Sequence, residues 1–269
     1  MADFAACVQQ TIAERGRLCV GIDPHESLLH EWGVPATASG ARDFGLRVVD
    51  AAAGRVGFVK PQVAFFERYG ATGYAALEAV LAAARAAGLV VIADAKRGDI
   101  GTTVEAYGQA WLTPGSPLEA DALTVVAYQG LGSLDSVIAL AQRGGKGLFV
   151  LTATSNPEAV ATQTAVRGDG RTVSAGLVAD IRDHPSASLG VVVGATIDVA
   201  DYGIALGDLV GVPVLAPGFG AQGAALADVA ALFGPATPTT IASVSRSVLG
   251  GGPDGLGQAI DRANGEVGA

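Results

Sequence analysis

Eight short apolar runs recur along this chain, most followed by a stretch of helical periodicity. That alternation limits the folds open to it more than any single residue does. The runs are RLCVGID (17–23), VGFVKP (56–61), LVVIADAK (89–96), DALTVVAY (121–128), GLFVLT (147–152), LGVVVGAT (189–196), VPVLAPG (212–218) and TTIASVSR (239–246). Their β-branched, continuously apolar character is that of strands buried on both faces, as in parallel sheets. Intervening stretches such as 41–54, 74–88, 103–112 and 224–233 carry helix-favouring residues at helical spacing. Eight such units match the α/β class (β/α)₈ TIM barrel in number and size. An open doubly wound sheet is the alternative. Polar residues at nearly every run's C-terminal end favour the barrel, whose sites are built from those ends.

Three segments interrupt the rhythm. Residues 113–120 (TPGSPLEA) read as a Pro/Gly loop, 153–175 as a long polar insertion after the fifth strand, and 250–257 (GGGPDGLG) as a turn before the last helix. Strands continue on both sides of the first two, so one domain over residues 1–269 is expected.

Half of the residues are hydrophobic and 16% are charged, a balance that excludes a disordered chain. A net charge of -9 argues against nucleic acid as a partner and requires any anionic substrate to meet a local cationic site. No apolar run reaches the roughly 18 residues of a membrane helix. The opening MADFAACVQQTIAERG lacks a basic n-region and an apolar h-region, and Cys7 and Cys19 read as reduced thiols. A cytoplasmic protein without membrane attachment is the expectation. His25, His30 and His184 show no ligand spacing with the cysteines, so no metal site is expected.

The richest segment is 89–103, LVVIADAKRGDIGTT. Side chains at i and i+2 of a strand share a face, so Asp94 and Lys96 point the same way, with Asp99 three residues on. Lys60 ends the neighbouring strand. Lys60, Asp94, Lys96 and Asp99 can therefore alternate in sign, keep the lysines protonated despite burial, and present one ammonium as a proton donor. A structural salt-bridge network is the competing reading.

A second signal is APGFGAQG (216–223), which places glycines at 218, 220 and 223 in a G-x-G-x-x-G pattern, with Arg246 further on. A dinucleotide site would use the same pattern, with Arg246 on a 2′-phosphate. Its position after the seventh strand instead fits the phosphate site that barrels form after strands seven and eight. There, backbone N–H groups around Gly218, together with Gln222 and Arg246, serve as donors. A purely structural Gly-rich turn is the third reading. Asp23 either caps the next helix or binds a sugar hydroxyl. Ser155 and Asn156 suit a cap as well as a ligand contact, and Thr102 and Thr103 read as N-cap residues.

As a set these residues resemble the orotidine 5′-phosphate decarboxylase family. D-x-K-x-x-D-I-G-x-T is met by Asp94, Lys96, Asp99, Ile100, Gly101 and Thr103; VGIDP, Lys60, TSNP and PGFGAQG…SRS occur in the expected order, over roughly residues 17–250. The wording is similar to the longer bacterial subgroup. The resemblance implies a barrel that decarboxylates orotidine 5′-monophosphate to UMP without metal or organic cofactor. It implies Lys96 as proton donor to C6, Asp94 beside the departing carboxylate, and Lys60 and Asp99 completing the array. It further implies Asp23 on the ribose hydroxyls, Ser155 (or Thr152, Thr154 or Asn156) on the pyrimidine edge, and Gln222 and Arg246 on the phosphate. A homodimer is implied as well, in which Asp99 and Thr103 cross the interface. Two other readings stand beside this one: a Mg²⁺-dependent sugar-phosphate decarboxylase or aldolase of the same suprafamily, and a non-catalytic phosphate-binding barrel. The first places an acidic metal ligand where this chain has Lys60.

Overall fold

The computed structural model describes residues 3–268. Eight parallel strands close into a barrel in sequence order: β1 (Leu18–Ile22), β2 (Phe58–Pro61), β3 (Val90–Arg97), β4 (Ala122–Val125), β5 (Gly147–Ala153), β6 (Leu189–Val193), β7 (Val214–Pro217) and β8 (Thr240–Val244). The last strand pairs with the first through Leu18–Ala242, Cys19–Ser243 and Val20–Val244. Every strand identified in the sequence is present, and the TIM barrel is the fold.

Each strand is buried on both faces, and the period of two sorts its side chains. Val20, Val59, Val91, Leu123, Val150, Val191, Val214 and Ala242 point outward into the layer beneath the helices. Cys19, Phe58, Ile92, Ala122, Phe149, Val192, Leu215 and Ile241 point inward and fill the lumen. Helix Phe4–Arg15 closes the N-terminal mouth of the barrel. Its Phe4 ring meets Phe149 edge to face, with centroids 5.6 Å apart. The bottom of the lumen is thus a packed apolar plug, and the lumen opens into a cavity at its C-terminal end.

Several elements depart from the sequence reading. The fourth strand ends at Val125 rather than 128, and Tyr128 is 84% exposed. The helix expected over 224–233 shrinks to a 3₁₀ turn, Leu226–Asp228, and a short helix, Val229–Phe233. Residue 224 is taken up by the preceding loop, where Gly220 N–H donates to the Ala224 carbonyl at 2.8 Å. Residues 252–257, expected as a turn, open the last helix, Gly252–Gly268. Pro253 lies in its first turn, where a missing N–H costs nothing. Among the described residues no helix is long and apolar enough to cross a membrane.

Candidate active site

Above the apolar lumen the inward positions turn polar. Two residues beyond Phe58 on β2 stands Lys60, two beyond Ile92 on β3 stands Asp94, and two beyond Ala122 on β4 stands Thr124. The Asp94 carboxylate is 8% exposed and holds this layer together. Oδ2 accepts from Lys60 Nζ at 2.9 Å, and Oδ1 accepts from Lys96 Nζ at 2.5 Å and from Thr124 Oγ1 at 3.0 Å. Burial alone would push Lys60 down, but Asp94 and Asp23 outweigh it and hold the ammonium above its ordinary pKa. Burial alone would likewise push Asp94 up, yet Lys60 and Lys96 hold it well below the usual carboxylate range. Both shifts favour the charged pair. Lys60 is buried, whereas the Lys96 side chain is 44% exposed and faces the open cavity.

Lys96 is the one non-glycine residue with a left-handed backbone among those described, at φ 50°. A left-handed residue costs roughly 1–2 kcal/mol. The pairing of β3 with β4 shifts register between Ala93 and Arg97, around this residue.

The cavity above this array has a volume of about 530 Å³. Asp23, Lys60, Asp94 and Lys96 line it from β1 to β3, and Gly218, Gln222 and Arg246 line it from the loops after β7 and β8. The glycine loop folds tightly: Gly218 has φ 121° and Gly220 φ 69°, and Gly223 N–H donates to the Gly220 carbonyl at 2.9 Å. A Cβ at Gly220 would run into the Ser247 side chain. Structural demand therefore accounts for part of this motif. A closed barrel also lacks the topological switch point at which a dinucleotide fold binds its cofactor. The phosphate reading is the one this position supports.

Asp23 does not cap the following helix, Glu26–Glu31, which starts at His25 without a side-chain cap. Its Oδ1 is instead one of two buried, unpartnered side-chain polar atoms among the described residues, the other being Ser245 Oγ. Both residues line the cavity. Ser155 and Thr154 line it too. Thr152 is occupied elsewhere, donating to the Val192 carbonyl at 2.8 Å, and Asn156 lines a neighbouring cavity.

Asp99 and Thr103 lie outside the cavity. Asp99 Oδ1 accepts from Ile100 N–H at 2.8 Å. Thr102 and Thr103 sit inside the first turn of helix Gly101–Leu112, whose N-cap is Ile100, so neither is the cap. Within one chain the alternating array therefore has three members, Lys60, Asp94 and Lys96. His25, Gln62, Phe65 and Thr124 also line the site and escaped the sequence reading. Carrying the period of two upward from Ala122 would have found Thr124.

A parallel eight-stranded barrel whose ion-paired lysines and glycine turn share one cavity at the strands' C-terminal ends defines an enzyme-type (β/α)₈ barrel. The model of the orotidine 5′-phosphate decarboxylase / HUMPS family matches residues 16–255. An orotidine 5′-phosphate decarboxylase of Streptomyces coelicolor is 49% identical, over 97% of this chain and 96% of its own. One from Salinispora tropica is 47% identical, over 94% of this chain and 92% of its own. A solved structure of a candidate orotidine 5′-phosphate decarboxylase from Streptomyces avermitilis superposes with a TM-score of 0.93 at 47% identity, covering 99% of this chain and 95% of that one. The Leishmania donovani OMP decarboxylase gives 0.78 at 28% identity, with both chains fully covered. The chain belongs to the orotidine 5′-phosphate decarboxylase / HUMPS family.

Proposed function

We propose that the chain is a single-domain decarboxylase that converts orotidine 5′-monophosphate to UMP and CO₂ in pyrimidine biosynthesis. The observation that carries this reading is the Asp94 carboxylate held between two ammonium groups beneath a cavity that also reaches the glycine turn and Arg246. Breaking the C6–carboxylate bond leaves an electron pair in the ring plane, where the π system cannot take it up. A fixed cation must meet that charge, and the half-exposed Lys96 ammonium does so and then gives its proton to C6. The step is redox-neutral and calls for no cofactor. Asp94 holds the Lys96 ammonium in place through their hydrogen bond. Its repulsion of the substrate carboxylate raises the ground state, a smaller and contested contribution.

Lys60 neutralises Asp94 from below. Asp23, with a buried oxygen awaiting a donor, takes a ribose hydroxyl, and Ser155 or its neighbour Thr154 takes the pyrimidine edge. The Gly218 turn, Gln222 and Arg246 bind the 5′-phosphate. That remote grip supplies binding energy for organising the charges. Asp99 and Thr103 enter the site of a second subunit, making the working unit a homodimer. The free thiols Cys7 and Cys19 support a reducing, cytoplasmic setting. A Mg²⁺-dependent sugar-phosphate reaction is disfavoured by Lys60, because an ammonium bound to Asp94 cannot ligate a cation.

The test is the absorbance change when orotidine 5′-monophosphate meets EDTA-treated protein. Conversion to UMP is expected, with Lys96→Ala folded and almost inactive. Wild-type turnover in that variant removes Lys96 from its role. Tight UMP binding without conversion by the parent protein points to a different substrate.

A further inference from the structure

Behind Lys96, on the outer side of β3, lies a charged cluster with no part in the reaction described above. Arg97 Nη2 pairs with Glu67 Oε1 and lies 3.3 Å from the Tyr74 hydroxyl, which itself donates to Glu67 Oε1 at 2.6 Å. The Tyr107 ring centroid is 5.6 Å from the guanidinium carbon. Burial would raise Glu67, but hydrogen bonds from Tyr74 and Arg97 hold its pKa below the ordinary value, which favours the carboxylate. Glu67 ends the short helix Ala64–Glu67 just beyond β2, so the pair ties together the two strands that present Lys60 and Lys96.

The other arm of the guanidinium does something more specific. Arg97 Nη1 donates to the Ala95 carbonyl at 3.0 Å. On the lumen side, Lys96 N–H donates to Thr124 Oγ1 at 2.9 Å, and Thr124 in turn donates to Asp94. The Ala95 carbonyl and the Lys96 N–H belong to one peptide unit. That unit is gripped at its oxygen from outside the barrel and at its hydrogen from inside. It is also the peptide that leads into the one left-handed non-glycine residue described. Its plane sets where the Lys96 Cα–Cβ bond points. Ordinary strand pairing resumes at once, with Val126 N–H donating to the Arg97 carbonyl at 2.9 Å.

We propose that Arg97, braced by Glu67, is a positioning residue that orients the Ala95–Lys96 peptide and so aims the Lys96 ammonium at the reacting carbon. This rests on the reading of Lys96 as proton donor. A brace serving only the fold would change stability and ligand binding; an aiming device changes kcat while leaving ground-state binding alone. A misplacement of about 1 Å at a reacting group costs roughly 100-fold in rate.

Arg97→Met, Arg97→Lys and Lys96→Ala are compared for kcat, KM, UMP affinity and thermal midpoint. Arg97→Met is expected to lose roughly 100-fold in kcat, with KM and UMP affinity close to those of the parent. Arg97→Lys keeps a cation for Glu67 but not the planar fork that reaches Ala95 as well, so it recovers the thermal midpoint while kcat stays depressed. Wild-type kcat in folded Arg97→Met overturns the proposal, as does a matched loss of kcat and UMP affinity. Should Arg97→Met not fold, Arg97→Lys decides. Wild-type kcat there overturns the proposal, and depressed kcat with intact UMP affinity supports it. Retained turnover in Lys96→Ala would refute the underlying assignment of Lys96, a failure distinct from that of Arg97.

Discussion

Asp94 governs the charge balance of the site, because its two oxygens answer both ammonium groups. Replacing it with Asn removes the carboxylate that is hydrogen-bonded to buried Lys60, and removing one partner of a buried pair costs about 3–5 kcal/mol. Urea unfolding of Asp94→Asn is expected to show a loss of that order, with turnover lost as well. The pH dependence follows from the two shifts. Asp94 is held below its ordinary pKa, so its contribution is present above about pH 4 and disappears as pH falls through the depressed folded value. Lys60 is held above its own, so its contribution is complete below about pH 10 and disappears as pH rises through the elevated folded value. The array therefore adds stability throughout the range between. Thermal midpoints of parent and Asp94→Asn should therefore converge at acid pH, as Asp94 of the parent becomes protonated; a gap that persists there would contradict the assignment. Asp94, Lys96 and Lys60 were legible because a strand's pleat places i and i+2 on one face and a barrel's strand ends face one cavity. Thr124 was not, since a lone Thr in an apolar run reads as β-branched filler and its role depends on the β3–β4 register. Asp99 reads as part of the same cluster in sequence, but the chain turns at Lys96 and carries it out of its own cavity.

At the level of elements, the barrel separates stability from chemistry along its axis. Helix Phe4–Arg15 seals the bottom, and its fully buried Phe4 ring packs under β5, where a Cβ at Gly147 would collide with it. Phe4→Ala is expected to cost about 3–5 kcal/mol in chemical denaturation. The folded fraction should keep its kcat, because the apolar lumen lies between this ring and Asp94. A kcat that falls with stability would mean that the plug communicates with the site. At the other end, Gly220→Ala places a side chain at φ 69° and against Ser247. The unliganded loop of the variant relaxes to relieve strain of about 1–2 kcal/mol, and binding must restore it, so affinity falls roughly tenfold. UMP affinity by calorimetry should drop accordingly, with the melting transition little changed. All eight strands could be read from their buried β-branched runs, since both faces of a parallel strand demand the same apolar character. Helix ends were harder. The glycine content of 252–257 reads as a turn although tertiary packing of Leu256, Ala259 and Ile260 makes it helical, while the helix-favouring 224–233 loses its start to the glycine turn after β7.

At the scale of the whole molecule, the charge array expected from the sequence is one residue short within a single chain. Asp99 lies outside its own cavity, and the adjacent Ile100 is 59% exposed. On the next strand's C-terminal side Tyr128 is also exposed, so large apolar side chains stand uncovered at the end of the barrel that holds the chemistry. Two-fold pairing would answer both facts at once. In such a dimer the same patch meets itself, so each chain lends Asp99 to the other's cavity and receives the partner subunit's Asp99 in return. The arrangement makes a prediction no monomeric site can meet. Lys96→Ala and Asp99→Ala should each be inactive alone, the first for want of a proton donor, the second because both cavities lack the lent carboxylate. When the two variants exchange subunits, every mixed dimer contains one cavity with both substitutions and one with neither. Random pairing makes about a quarter of all cavities intact, so mixing equal amounts should restore about a quarter of parental turnover. Recovery should follow the rate of subunit exchange and vanish if the variants are cross-linked as homodimers beforehand. If Asp99 acted within its own chain, no mixture could place it beside an unaltered Lys96, and activity would stay absent at every ratio.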